Sequence, residues 1–127
     1  MKFIRGIFAL YSEAATGVTL LLYAKGDTHT PSYRYAFDPA INKTAHIWHC
    51  RVPHSIMHKA AYYAYRVEGP DDPASGKRFD PDKILLDPYA EAVYFPPDFD
   101  RKAACKPGSN GGKAPLGVIH THAPAFD

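Results

Sequence analysis

Ile47-Trp48-His49-Cys50-Arg51-Val52 decides the fold class. Trp48, Cys50 and Val52 fall on one side of an extended chain and His49 and Arg51 on the other, the two-residue period of a strand with one buried face. A tryptophan on the apolar side belongs to a core, so Trp48 is predicted to point inward. Segment 62–68 repeats the pattern, with Tyr63, Tyr65 and Val67 opposite Ala64 and Arg66, before Gly69-Pro70 stops it. Upstream, Tyr33, Tyr35 and Phe37 alternate with Ser32, Arg34 and Ala36. Segment 7–12 sets Phe8 and Leu10 against Ala9 and Tyr11, and 18–23 follows a turn at 13–17, so these two are expected to pair as a hairpin. Downstream, Ile84-Leu85-Leu86 and Val93-Tyr94-Phe95 are short apolar runs closed by prolines and read as edge or connecting pieces. At least five alternating strands without a convincing helix predict an all-β fold, an antiparallel β-sandwich with long irregular loops and a C-terminal tail.

The chain has 127 residues, with 46% hydrophobic and 22% charged side chains, an ordinary globular composition that supports one compact core. A catalytic (β/α)8 barrel requires about 250 residues, so the chain cannot hold one. Fifteen Lys and Arg against thirteen Asp and Glu leave +2, with no basic stripe that calls for nucleic acid. The longest apolar run, Val18 to Ala24, is far below the roughly 20 residues of a membrane span. The N-terminus lacks a signal-length apolar stretch, and Cys50 and Cys105 are too few for a disulfide framework; a cytoplasmic protein with reduced thiols is expected. Residues 1–97 read as the sandwich and 98–127 as a Gly/Pro-rich loop with an extended segment, most mobile across 106–113.

Catalytic and metal chemistry find little footing. His120 and His122 would share one side of an extended segment, but nothing nearby completes a three- or four-ligand set, so no metal or other cofactor is expected. His46, His49, His54 and His58 read as surface polar residues, the last two in a loop or short helical turn. Asp71, Asp72, Asp80, Asp82, Asp98 and Asp100 lie in proline-containing loops where Asp serves turn chemistry. No serine has a nucleophile-elbow context, and no glycine-rich loop opens onto a helix. Catalytic residues are therefore expected to be none. Aromatic side chains remain, since an exposed ring can stack on a sugar, with core packing as the competing use.

Longer motifs then carry a resemblance. Phe8-Ala9-Leu10-Tyr11-Ser12-Glu13-Ala14-Ala15-Thr16-Gly17-Val18, Ile47-Trp48-His49, Tyr65-Arg66-Val67-Glu68-Gly69-Pro70 and the run Gly76-Lys77-Arg78-Phe79-Asp80-Pro81-Asp82-Lys83-Ile84-Leu85-Leu86-Asp87-Pro88-Tyr89-Ala90 occur in order, followed by Ala114-Pro115-Leu116-Gly117-Val118-Ile119. In this the chain resembles the immunoglobulin-like, carbohydrate-binding-module-like N-terminal domain of glycogen-debranching enzymes and isoamylases. The resemblance implies a domain that precedes an α-amylase-type barrel hydrolysing α-1,6 branch linkages, and the end at Phe126-Asp127 reads as a domain cut from, or a truncated relative of, such an enzyme. The implied function is a non-catalytic accessory domain that packs on the barrel and assists α-glucan positioning. The alternative is an autonomous weak α-glucan-binding module.

Glycogen-binding members carry a Lys between the aromatics where this chain has Ala64, together with exposed tryptophans, so glucan binding is expected to be weak and to use Tyr33 or Tyr62. Leu85, Leu86, Tyr89 and Tyr94 exceed what five short strands can cover and are expected to face the barrel, or to promote self-association without it. Trp48, Arg66, Arg78, Phe79 and Asp87 are assigned structural roles, with Arg66 expected to pair with Asp87 or Asp71.

Overall fold

The computed structural model describes residues 7–13, 15–69, 83–87, 90, 92–105 and 109–119, with side chains at all of these except 104 and 105. The strands are β1 (Ile7–Tyr11), β2 (Gly17–Tyr23), β3 (Tyr33–Ala36), β4 (Lys43–Thr44), β5 (Ile47–Arg51), β6 (Tyr62–Glu68), β7 (Val93–Tyr94) and β8 (Leu116–Val118). A four-residue helix, α1 (His54–Met57), joins β5 to β6, and a 3-10 turn spans Arg101–Cys105. The strands form two antiparallel sheets, a small one ordered β1-β5-β4 and a large one ordered β3-β2-β6-β8-β7. This is the all-β sandwich that the alternation implies.

Its core lies between the sheets. Phe8, Trp48 and Cys50 from the small sheet, with Val52 just past β5, meet Val18, Leu20, Leu22, Phe37, Tyr65 and Val67. Trp48 is 1% exposed, on the side the alternation predicts. Burying a side chain of the Leu or Phe class stabilises by about 1.5–3 kcal/mol, so this shared layer holds the two sheets together.

The expected hairpin of segments 7–12 and 18–23 does not form. β1 pairs with β5, from Ile7 opposite Arg51 to Tyr11 opposite Ile47, whereas β2 pairs with β3 and β6. The reason is burial. Leu20, Leu21, Leu22 and Tyr23 are all inaccessible, and a strand apolar on both faces needs neighbours at both edges and cover on both sides. β1 buries only the Phe8 and Leu10 face and so occupies an edge of the other sheet. The chain crosses between sheets where Ser12 Oγ accepts from Ala15 N at 3.3 Å and Glu68 O accepts from Thr16 N at 2.7 Å.

Three strands cannot cover five. The Phe8 and Tyr63 rings meet at 5.2 Å and the Tyr65 hydroxyl donates to Ala9 O at 3.3 Å, which sets β1 over β6. Phe37 meets Trp48 at 6.5 Å, which sets β5 toward β3. β8 and β7 consequently extend past the small sheet. Gly117 makes this flank thin, since a Cβ there would lie 2.5 Å from Tyr63 Cε1; only glycine lets the Tyr63 ring cross β8.

A second cluster closes the outer face of the large sheet. Leu21, Tyr23, Ala64 and Leu116 of the sheet pack with Ile84 and Ala114. Segment 83–87 is fastened along β6 by mutual backbone bonds of Tyr65 and Leu85, at 3.0 and 2.7 Å. Asn110 then grips Ile84 from both ends, accepting from its N–H at 2.6 Å and donating to its carbonyl at 3.1 Å. This corrects the expectation of mobility within 106–113: Asn110 is buried, and its amide replaces the ladder partners that Ile84 would otherwise lack. Further along, β8 lies between β6 and β7, so this part of the 98–127 segment is a strand of the sandwich.

Candidate functional site

The aromatic residues proposed for sugar contact lie on opposite faces of the large sheet. Leu22 is in register with both Tyr33 and Tyr63, so Tyr33 faces the inter-sheet core, where it is half-buried. Packing has taken the ring area that a sugar would need. Tyr62, one residue from Tyr63, projects from the outer face and stacks on Tyr94 with centroids 4.3 Å apart and planes 15° from parallel. Burial, with the Tyr94 phenol adding to it, raises the Tyr62 pKa. The structure therefore joins one residue proposed for glucan and one proposed for an interface in a single stack, and shields one face of each.

Between Tyr63 and Tyr65, the position where the resemblance sets a Lys in glycogen-binding members and this chain has Ala64 is closed. Ala64 is inaccessible, packed in the outer-face cluster with Leu21, Tyr23, Ile84, Ala114 and Leu116. Tyr23 in the same cluster has its phenol pushed up to about 12 by burial, against the opposing pull of Arg66 and Arg34. Neither Tyr23 OH nor Arg66 Nε has a hydrogen-bond partner among the described residues. The contact expected between Arg66 and Asp87 is replaced by one from Tyr63, whose hydroxyl donates to Asp87 Oδ2 at 2.6 Å. The physical cause is strand alternation, since Tyr63 and Arg66 leave β6 on opposite faces. Asp71, Arg78, Phe79 and Tyr89 lie outside the described residues, as do His120 and His122.

Leu85, Val93, Phe95 and Phe99 form the exposed apolar flank. Val93 and Leu85 are in register with the inner-face row of Gly117 and Tyr65, but beyond the reach of the small sheet. Leu85 is 44% and Phe95 59% exposed, and Phe95 meets Phe99 edge to face at 5.0 Å. Leu86 is half-buried.

The outer face of the small sheet holds the aromatic that the sequence reading did not single out. Tyr11 is 61% exposed. It stands in a cross-strand row with Ile47 and Thr44, and its ring meets His46 at 6.0 Å and 81°. Thr44 Oγ1 and His49 Nε2 are 2.9 Å apart, which fixes the imidazole on the same face. The signal was present in the alternation of Phe8 and Leu10 against Ala9 and Tyr11, which puts Tyr11 on the solvent side.

The carboxylates do turn chemistry. Asp27 accepts from the backbone N–H groups of His29 and Thr30, and these bonds, Thr30 first, hold its carboxyl below the usual carboxylate range. Asp38 and Asp100 cap Ala40 N and Lys102 N in the same way. Asp98 meets His29 Nε2 at 2.9 Å on the surface. Among the described residues no three His, Cys, Asp or Glu side chains converge as a metal site. The Cys50 thiol is pushed up to about 12 by burial, which makes it unreactive. Among the described residues no helix is long and apolar enough to cross a membrane.

Fold and surface define a β-sandwich module that presents aromatic side chains on two separate faces. Residues 5–90 match carbohydrate-binding module 48 (isoamylase N-terminal domain), and the chain belongs to that family. It is 44% identical over 89 residues to a glycogen debranching enzyme of Serratia proteamaculans, a match covering 70% of this chain and 12% of the relative. An isoamylase of Pseudomonas amyloderamosa is 32% identical, with 88% of this chain and 18% of the relative covered. The chain thus spans less than a fifth of the length of these curated relatives. Its fold is similar to part of the pullulanase SAP of group B Streptococcus solved with maltotetraose, at 19% identity and a TM-score of 0.58 over 91% of this chain and 13% of that one. It is also similar to part of the catalytic module of the glycogen-degrading pneumococcal virulence factor SpuA, at 18% identity and a TM-score of 0.60 over 89% of this chain and 14% of that one.

Proposed function

We propose that the chain acts as a non-catalytic accessory module of a debranching-type glycoside hydrolase, seated against an α-amylase-type catalytic domain. The observation that carries this reading is the flank of the large sheet past β6, where Leu85, Val93, Phe95 and Phe99 are each exposed and Phe95 and Phe99 are in ring contact. Large apolar side chains left exposed along one flank of a small domain are the mark of an interface. Family membership supplies the partner, since the relatives devote most of their length to other parts of the same polypeptide. Tyr94 borders the flank, and Leu86 leads from it toward the Asp87 anchor. A cytoplasmic setting with reduced thiols belongs to this reading.

The test is reconstitution. The chain is mixed with the Serratia proteamaculans debranching enzyme produced without its matching stretch, and association is followed by sedimentation. A complex weakened by Leu85→Ser with Phe95→Ser, alongside no release of reducing ends from glycogen by the chain alone, is the expected result. No complex, or one indifferent to both substitutions, would reject the docking reading; hydrolysis by the chain alone would reject the accessory role.

A further inference from the structure

The exposed face of the small sheet is independent of that flank and has the elements of a ligand site. Along β1, Ile7, Ala9 and Tyr11 point outward, opposite Arg51, His49 and Ile47 of β5. Ala9 is small and lies between two larger side chains on its own strand, so the face dips at its middle. From Ile7 to Tyr11 the dip is about 13 Å long, by the rise of an extended chain. His49 and Thr44 border it with polar atoms already oriented by their mutual contact. No Asp or Glu belongs to this face of β1, β4 or β5, whereas Arg51 does, which disfavours a cationic ligand and suits a neutral polyol.

Tyr11 closes one end of the dip, and what holds it there is unusual. β4 and β5 are joined by only Ala45 and His46, and Ala45 has φ of 54°, a left-handed conformation that a two-residue hairpin ordinarily gives to glycine. A non-glycine residue kept in this region indicates a geometry imposed by its surroundings, and such residues cluster at ligand sites. Here the strained turn delivers the His46 carbonyl to Ser12 N at 2.9 Å and sets the His46 ring at 81° to that of Tyr11, in contact with one side of it. Two rings set at 81° make a corner, not a flat strip.

We propose that this corner, formed by Tyr11, His46, Ile47, His49 and Thr44, binds an α-1,4-linked glucan. The apolar face of a glucose ring stacks on Tyr11 and rests on Ile47, while its hydroxyls exchange hydrogen bonds with Thr44 and His49; Arg51, opposite Ile7 at the far end of the dip, donates to a further sugar of the same chain. A curved α-linked chain turns between the two rings. A straight β-linked ribbon would need coplanar aromatics in a row, which this face lacks. The site is separate from the Ala64 face, which is closed beneath Ile84 and Ala114.

Titration of the 127-residue chain with maltoheptaose, read by amide NMR shifts, tests the assignment, with cellohexaose as the straight-chain control. Saturable shifts centred on residues 9–12 and 44–49 are expected, with maltoheptaose preferred over cellohexaose. Tyr11→Ala should bind roughly tenfold more weakly, and Tyr62→Ala should bind as the parent does. Tyr11→Leu, which retains apolar bulk without the aromatic plane, should show the same loss at an unchanged melting temperature. Shifts centred on Tyr62 and Tyr94, equal affinity for cellohexaose, Tyr11 variants that bind normally, or no saturable response would each overturn the proposal.

Discussion

The two sheets are built from the same alternation of large and small side chains, yet their outer faces have opposite fates. On the large sheet, Tyr23, Ala64 and Leu116 are covered by Ile84 and Ala114, and Asn110 ties the cover down. On the small sheet, Ile7, Tyr11 and Ile47 remain in solvent. The difference arises in the chain after β6, which returns along one sheet and leaves the other bare. A position that resembles a sugar contact by its place in a motif, Ala64, thereby becomes core. Tyr11 becomes surface through simple strand parity. Strand motifs fix which residues share a face, but the long connections decide whether that face meets ligand or protein.

The largest effect should come from the layer that both sheets share. Trp48→Ala removes the indole between them and should destabilise the domain by about 3–5 kcal/mol, measured by urea unfolding. Loss of one sheet's hydrogen-exchange protection while the other's persists would show that the sheets are not one cooperative unit, and would break the comparison at its base.

Asn110→Ala attacks the cover alone. It strips both partners from the buried backbone of Ile84, and two such groups left unsatisfied should cost about 2–4 kcal/mol. Amide exchange at Ile84 and Leu85 should accelerate more than at Phe8 or Cys50. Equal acceleration at all four would mean that the cover is an inseparable part of the core.

This cover was the part of the fold least legible in the sequence. The uninterrupted run Leu20-Leu21-Leu22-Tyr23 signals a strand buried on both faces, and β1, β3, β5 and β6 follow directly from their alternation. What covers β2 was not readable, because Ile84 and Asn110 are more than sixty residues away and their bond joins a side chain to a backbone. Asn110 sits in a Gly-rich stretch whose composition suggests a loose loop, and only tertiary contact makes it a clamp. Tyr33 shows the converse: its strand was legible, but parity with Leu22 turns its ring inward. At the small-sheet corner, Tyr11's outward direction could be read, whereas the turn that sets His46 against it could not, since neither Ala45 nor His46 is a usual hairpin residue.

Alkaline unfolding sharpens the comparison through Tyr23, beneath the cover, and Cys50, between the sheets. Burial raises the two groups from ordinary values of 10.0 and 9.0 to about 12 each, so the folded state favours their protonated forms. Their stabilisation is fully present below about pH 9 and is lost as pH rises toward about 12, with each titrating group lowering stability by up to about 1.4 kcal/mol per pH unit. Urea midpoints at successive pH values should fall less steeply in Tyr23→Phe and in Cys50→Ala. If Tyr23→Phe left the slope unchanged, its hydroxyl would be reaching solvent and the outer face of the large sheet would not be sealed.

Ala45→Gly gives the smallest change in stability and separates strain from function. Alanine in the left-handed region is unfavourable by about 1–2 kcal/mol relative to its ordinary conformation. Glycine relieves that, while loosening the unfolded chain offsets about 0.4–1 kcal/mol. The net expectation is a domain more stable by roughly 0.5–1 kcal/mol, with the β4–β5 turn freer to relax. If the turn exists only to join two strands, nothing else should change. If it holds His46 against Tyr11 for a ligand, the more stable variant should bind maltoheptaose less well, because the corner is no longer fixed before binding. Stability and affinity would then move in opposite directions from one substitution that touches no proposed contact residue. A variant that gained stability and kept its affinity would leave the strain at Ala45 without a role in binding.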